Sequence, residues 1–250
     1  MTEYSKMQQA VIDGVNETIS DLDKAIYINP DLCANALKEY GIDYYSEKTP
    51  ASIEKAIETK TSAMSEDQLE EFYAKLVKPL SDSLNEQLPG AGDKLTSQDV
   101  EDVSQNNINI INRALIKGVG AIDAQQLGEV KYGIVILPTQ QADTSKEFFK
   151  NNVFEGRFSP EIAETIADNL AIDSSKLMLY IGRHEGSHLN GITEGNTLQE
   201  IIAEEYRADS IALQPAIEAG DYEFVRAYEA YRALTAINEE YADHLRPRVT

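Results

Sequence analysis

The chain has 250 residues, of which 42% are hydrophobic and 26% charged, a balance that excludes a disordered protein and leaves room for one large domain or two ordinary ones. Its net charge of −21 argues against nucleic acid or an anionic membrane surface as partner, because a strongly acidic surface repels both. Cys33 is the one cysteine, so no internal disulfide or thiolate metal site can form, and no apolar stretch is long enough to cross a bilayer. The N-terminus shows no basic region followed by an apolar run, so a cytoplasmic protein in a reducing compartment is expected, with export by a signal-less route as the alternative.

In chain order, Met7, Val11, Val15, Ile19, Leu22 and Ile26 recur at three- and four-residue spacing and predict one amphipathic helix over 5–28. Asn29-Pro30-Asp31 punctuates it, and a shorter helix is expected to about Tyr40, stopped by Gly41. Thr49-Pro50 opens another through Ile53 and Ile57. Ser65-Glu66-Asp67-Gln68 has capping-box spacing ahead of Leu69, Phe72, Leu76, Leu80 and Leu84. Pro89-Gly90-Ala91-Gly92 breaks that helix, and Thr96-Ser97-Gln98-Asp99 starts a further one to Leu115. This half holds no His; its carboxylates spread over polar helix faces, where a solvated surface is the simplest account.

The texture changes near Gly128. Val130 to Pro138 is a β-rich apolar run and predicts a strand; 153–158 is a weaker strand or an extended loop. Ser159-Pro160-Glu161 is a helix start carrying Ile162, Ile166 and Leu170. Asp173 or Ser174 caps the next helix, to about Asn190, whose apolar stripe is Leu177, Ile181, His184 and His188, with Tyr180 adjoining.

That helix contains His184-Glu185-Gly186-Ser187-His188, the pattern H-E-x-x-H, and uses two of the chain's three His. At i and i+4 the two imidazoles share one helix face and can hold one zinc ion, with Glu185 placed to take a proton from water at the metal. Buried rings need partners, and a shared metal supplies one. Thr197-Leu198-Gln199-Glu200 opens the following helix, whose inward stripe puts Glu205 among apolar residues. Glu205 is therefore the expected third ligand, and Asp209, one turn on, can accept the second ring N–H of a ligating His. Glu204 and Glu200 phase to another side with Arg207 and read as surface groups. The helix is expected to end near Gln214-Pro215, and Gly220-Asp221 to open a last one with Tyr222, Val225, Tyr228, Leu234, Ile237 and Tyr241.

His184 to His188 followed by Glu205-Tyr206-Arg207-Ala208-Asp209-Ser210-Ile211-Ala212 resembles the gluzincin-type zincin metallopeptidases, in the branch whose second motif reads E-x-x-A-D-x-x-A. The resemblance covers roughly 130–213. It implies zinc on His184, His188 and Glu205, one ion per chain, with Glu185 as catalytic base, Asp209 behind the ligands, and the strand from Tyr132 to Leu137 beside the cleft. One departure is that Gly follows Glu185, where several relatives place it next to the second His.

The expected architecture is mainly α (α+β): a helical region of unassigned role over 1–128, then a zincin-like domain over 129–250 with a small sheet and the HExxH helix. The expected function is a zinc-dependent metallopeptidase, an endopeptidase acting on a peptide or protein. Such chemistry needs a donor for the oxyanion besides zinc, with His244 and Tyr206, Tyr222 or Tyr228 as candidates. A non-catalytic zinc-binding protein with a vestigial site is the alternative. A di-iron carboxylate protein fits poorly, because Glu185 and His188 form E-x-x-H but no second such pair exists.

Overall fold

A computed structural model describes residues 4–46, 50–95, 119–139, 173–190 and 197–235, with 161, 164, 165 and 168 singly. It is mostly helical with a small sheet. The elements are α1 (Lys6–Thr18), β1 (Lys24–Ile28), α2 (Asp31–Glu39), α3 (Pro50–Thr61), α4 (Glu66–Gln87), β2 (Gly120–Leu127), β3 (Val130–Ile136), α5 (Ser174–His188), α6 (Leu198–Glu218) and α7 (Tyr222–Thr235), with a 3-10 turn at Gly92–Leu95. Among the described residues no helix is long and apolar enough to cross a membrane. The helix over 96–115, the segment 153–158 and His244 fall outside the described residues, as does most of the helix expected from Ser159.

By contact the chain forms two compact units, residues 1–3 with 26–141 and residues 4–25 with 142–250. They are not two consecutive halves, since α1 belongs with the later helices and β3 with the earlier ones.

The first unit is built on bulky apolar side chains. The Ser65 hydroxyl and the Gln68 side chain cap each other's backbone and start α4, whose Phe72, Leu76, Leu80 and Leu84 are buried along one stripe. Against them pack Leu37 of α2, Ile53 of α3, Tyr44 and the apolar residues of the sheet. The strand order is β1-β3-β2, with β2 and β3 antiparallel across a two-residue Gly128-Glu129 loop in which Gly128 has φ 61°. β2 has no counterpart in the sequence reading. Its residues, Gly-Ala-Ile-Asp-Ala-Gln-Gln-Leu, lack β-branched and aromatic enrichment, and pairing to β3 is what extends them.

The single helix expected over 5–28 is corrected. α1 stops at Thr18, and Lys24–Ile28 is a strand whose last four residues are all buried. Ile26 fits a helical period by coincidence; Ala-Ile-Tyr-Ile is a short continuous apolar run, and such a run suits a strand buried on both faces. Gln87 at the end of α4 braces it, accepting from the Tyr27 N–H and donating to the Tyr27 carbonyl, both at 2.7 Å.

The second unit rests on close backbone approach. α1 lies directly against α5. A Cβ placed on Gly182 would sit 2.2 Å from the Val11 carbonyl oxygen, and one on Gly186 would sit 2.8 Å from Val15 Cα. The absence of a side chain at these two α5 positions, four residues apart, lets the helices touch backbone to backbone. Arg183 of α5 pairs with Glu17 of α1 at 2.6 Å. Asn190, just past α5, accepts from the Ser20 N–H at 2.8 Å and donates to the Thr18 carbonyl, so it ties off the end of α1.

The remaining face of α5 meets α6 and α7. Tyr180 packs on Phe224 and Tyr228 of α7 with ring centroids 4.4 and 5.6 Å away, and Lys176 pairs with Asp221 at 2.8 Å. α6 also departs from expectation, running through Pro215 to Glu218. A proline costs one backbone hydrogen bond there, and the Ala219 N–H still closes on the Pro215 carbonyl at 3.0 Å.

Candidate metal centre

Three helices supply the centre, all in the second unit. The Asp173 carboxylate caps α5 by accepting from the Lys176 N–H, and the Leu177, Tyr180, Ile181 and His184 face of that helix is buried. His184 and His188 are therefore carried inward one turn apart, with their rings edge to face and their Nε2 atoms 3.0 Å apart. Thr197 and Glu200 form the capping box that starts α6, and α6 brings Glu205 to the pair. His184 Nε2 lies 3.4 Å from Glu205 Oε2, and His188 Nε2 lies 3.5 Å from Glu205 Oε1.

The donor set passes a geometric test for an ion. One ligand atom from each of His184, His188 and Glu205 can be chosen so that all three lie within 4.8 Å of one another, and they form the one such group among the described residues. Metal arms of about 2.0–2.1 Å in a tetrahedral site set donor atoms about 3.3 Å apart. The two Nε2 atoms at 3.0 Å, and each of them at 3.4–3.5 Å from one of the two Glu205 oxygens, lie near that value.

Each imidazole is held from behind by its other nitrogen. Asp209, one turn after Glu205 on α6, sits with Oδ1 2.9 Å from His184 Nδ1, in the place the sequence reading gave it. His188 Nδ1 is held at 3.2 Å by Oε1 of Glu204. With Nδ1 engaged by a carboxylate, each ring turns its Nε2 toward the shared point, the arrangement that fixes tautomer and orientation in metal sites.

Glu204 thus corrects the reading that placed it among surface groups. Its partner Arg207 donates from Nε to Glu204 Oε2 at 2.8 Å and from Nη2 to the Ser187 carbonyl at 2.7 Å, with a further contact to Glu204 Oε1. The 204–207 spacing was visible, but the approach of His188 was not. The sequence reading missed Arg232 altogether. Arg232 of α7 donates from Nη2 to Glu205 Oε2 at 2.8 Å and from Nε to Asp209 Oδ2 at 3.2 Å. Tyr228, one turn earlier on α7, donates to Asp209 Oδ1 at 2.8 Å, so its hydroxyl serves the carboxylate behind His184. The signal available in the sequence was the i, i+4 spacing of Tyr228 and Arg232 on one helix face.

The electrostatics follow from this packing. Burial works against a charged imidazole at His184, yet hydrogen bonds to Asp209 and Glu205, with the charges of Glu185 and Glu205, outweigh it and hold its pKa up at about 10. Burial pushes Glu205 upward, and its bonds to His184 and His188 overcome that, holding the carboxyl far below the usual range. Asp209 is lowered against its own burial by His184, Arg232 and Tyr228, and Glu204 is lowered chiefly by Arg207. The shifts favour the ionised form of all three carboxylates; Glu205 faces the Nε2 atoms, and Asp209 and Glu204 face the Nδ1 atoms behind them. A divalent ion between the Nε2 atoms and Glu205 would displace protons from the imidazoles, so its uptake is coupled to proton release.

Glu185 follows His184 on α5 and is half-buried. Tyr206 is 42% exposed and Tyr222 57% exposed. β3, expected beside the metal helix, belongs to the first unit, whereas all of the donors lie in the second. Compared with protein-family models, with curated proteins and with solved structures, the chain matches none.

Proposed function

We propose that the chain is a zinc-dependent metallopeptidase, an endopeptidase of zincin-like type acting on peptides or proteins in a reducing, cytoplasmic setting. The observation that carries this reading is the convergence of His184 and His188 with Glu205, each imidazole backed by a carboxylate, next to Glu185. Two nitrogens and one oxygen make up the donor set of a catalytic zinc site, which keeps one position open. A purely structural site would have no use for a base adjoining the first ligand.

Zinc, when bound, supplies Lewis-acid polarisation of the scissile carbonyl and a lowered pKa for water. Glu185 takes a proton from that water and passes it to the leaving amine. Asp209 and Glu204 hold the two imidazoles in the tautomer that offers Nε2. The donor that steadies the oxyanion is Tyr206, Tyr222 or His244, since Tyr228 is engaged with Asp209.

Glu185→Gln tests the assignment. The variant should bind one zinc per chain and lose about 10²–10⁴-fold in cleavage of a broad peptide library, measured with and without chelator. Undiminished, chelator-sensitive cleavage by that variant would remove Glu185 from the mechanism. A wild-type chain that binds zinc and cleaves nothing would leave the non-catalytic zinc protein as the better reading.

A further inference from the structure

Arg232 lies outside both motifs, on a third helix, and contacts two groups of the metal centre together. Its Nη2 holds Glu205 Oε2 at 2.8 Å and its Nε holds Asp209 Oδ2 at 3.2 Å. The side chain is largely buried, at 15% exposure, so both contacts are little diluted by water. Oε2 is the Glu205 oxygen nearer His184, and Oε1 faces His188 Nε2 at 3.5 Å. The guanidinium fork therefore competes for Oε2, the oxygen that faces His184, and does not touch Oε1, the oxygen that faces His188. It also ties the ligand to the carboxylate that orients His184, because Asp209 Oδ1 is the atom bonded to that ring. Tyr228, on the same face of α7, makes the second α7 contact to Asp209.

We infer that Arg232 is a positioning residue that keeps Glu205 to one-oxygen ligation and so selects a small four-coordinate ion over larger, oxygen-preferring ones. The inference rests on the metal-centre part of the proposed function and not on peptide hydrolysis. A carboxylate free at both oxygens can close on a metal with two, which raises the coordination number and suits ions such as Mn²⁺. A planar fork bonded to one of those oxygens and to a neighbouring carboxylate opposes that rotation. A lysine ammonium, with no fork, cannot span both carboxylates in the same geometry.

The test uses the full chain loaded with Co²⁺ as a spectroscopic probe, alongside competition between Zn²⁺ and Mn²⁺, with circular dichroism to verify folding. Wild type should show the intense visible absorption of four-coordinate Co²⁺. Arg232→Gln should shift it to the weaker five-coordinate pattern and narrow the zinc-over-manganese preference by about tenfold, within the range expected for outer-shell partners. Arg232→Lys, which keeps the charge, should move both readouts the same way, and it carries the test if the Gln variant does not fold. A folded variant with the wild-type spectrum and unchanged metal preference overturns the inference while leaving the metal centre intact. Five-coordinate Co²⁺ in wild type overturns it as well. A wild-type chain that takes up neither Zn²⁺ nor Co²⁺ overturns the metal centre and this inference together.

Discussion

The two compact units solve the problem of an interior differently. The first fills its centre by volume: Phe72, Leu76, Leu80 and Leu84 of α4 meet Leu37, Ile53, Tyr44 and the sheet, and Cys33, buried among them, has its thiol pushed up to about 12 by desolvation. The second brings α1 against α5 at Gly182 and Gly186 and spends its other interior face on His184, Glu205 and Asp209. An apolar core is tolerant, because any well-fitting shape satisfies it. A buried polar cluster is demanding, because each group left unpaired costs about 1–3 kcal/mol. That demand makes the second unit suitable as a site, since satisfying every partner fixes the donors in place.

The largest expected effect lies in the first unit. Leu76→Ala should cost about 2–5 kcal/mol in denaturant unfolding through a cavity, yet leave zinc affinity unchanged. A matching loss of zinc affinity would break the distinction between a volume-filled unit and a metal-holding one. Asp209→Asn should lower zinc affinity by about 10–100-fold in chelator competition, because the amide cannot accept from His184 as the carboxylate does. Unchanged affinity there would mean that the backing carboxylate does not orient the ring. Gly186→Ala should destabilise the second unit by about 1–3 kcal/mol, the cost of forcing α1 off α5, as read by hydrogen exchange in α1. Exchange unaltered in α1 would show that the contact contributes nothing. The same contact accounts for a glycine inside the HExxH motif, since that position faces α1.

Much of this was legible locally. The capping boxes at Ser65 and Thr197, and the caps of α5 and α7, depend on residues three apart and form as the sequence predicts. Their energetics are contained within a single turn. Glu205 was legible because a carboxylate within an apolar stripe marks itself. Reading went wrong where partners are distant. Ile26 kept the helical phase of α1, but sheet pairing took its segment, and β2 carries no strand signal until β3 pairs with it. Glu204 looked like a surface acid paired with Arg207 until the packing of α6 on α5 brought it to His188.

By itself, then, the sequence pointed to the two imidazoles one turn apart, to Glu185 beside them, and to Glu205 and Asp209 on the inward face of the next helix. Each follows from helical periodicity, which is short-ranged. Only the tertiary structure decided that α1 supports the motif helix from behind, that Glu204 holds the second imidazole, and that Tyr228 and Arg232 close over Asp209 and Glu205. Those contacts join helices far apart in the chain. They are set by which faces meet when the unit packs, and a local spacing such as that of Tyr228 and Arg232 shows a shared face without showing what it meets.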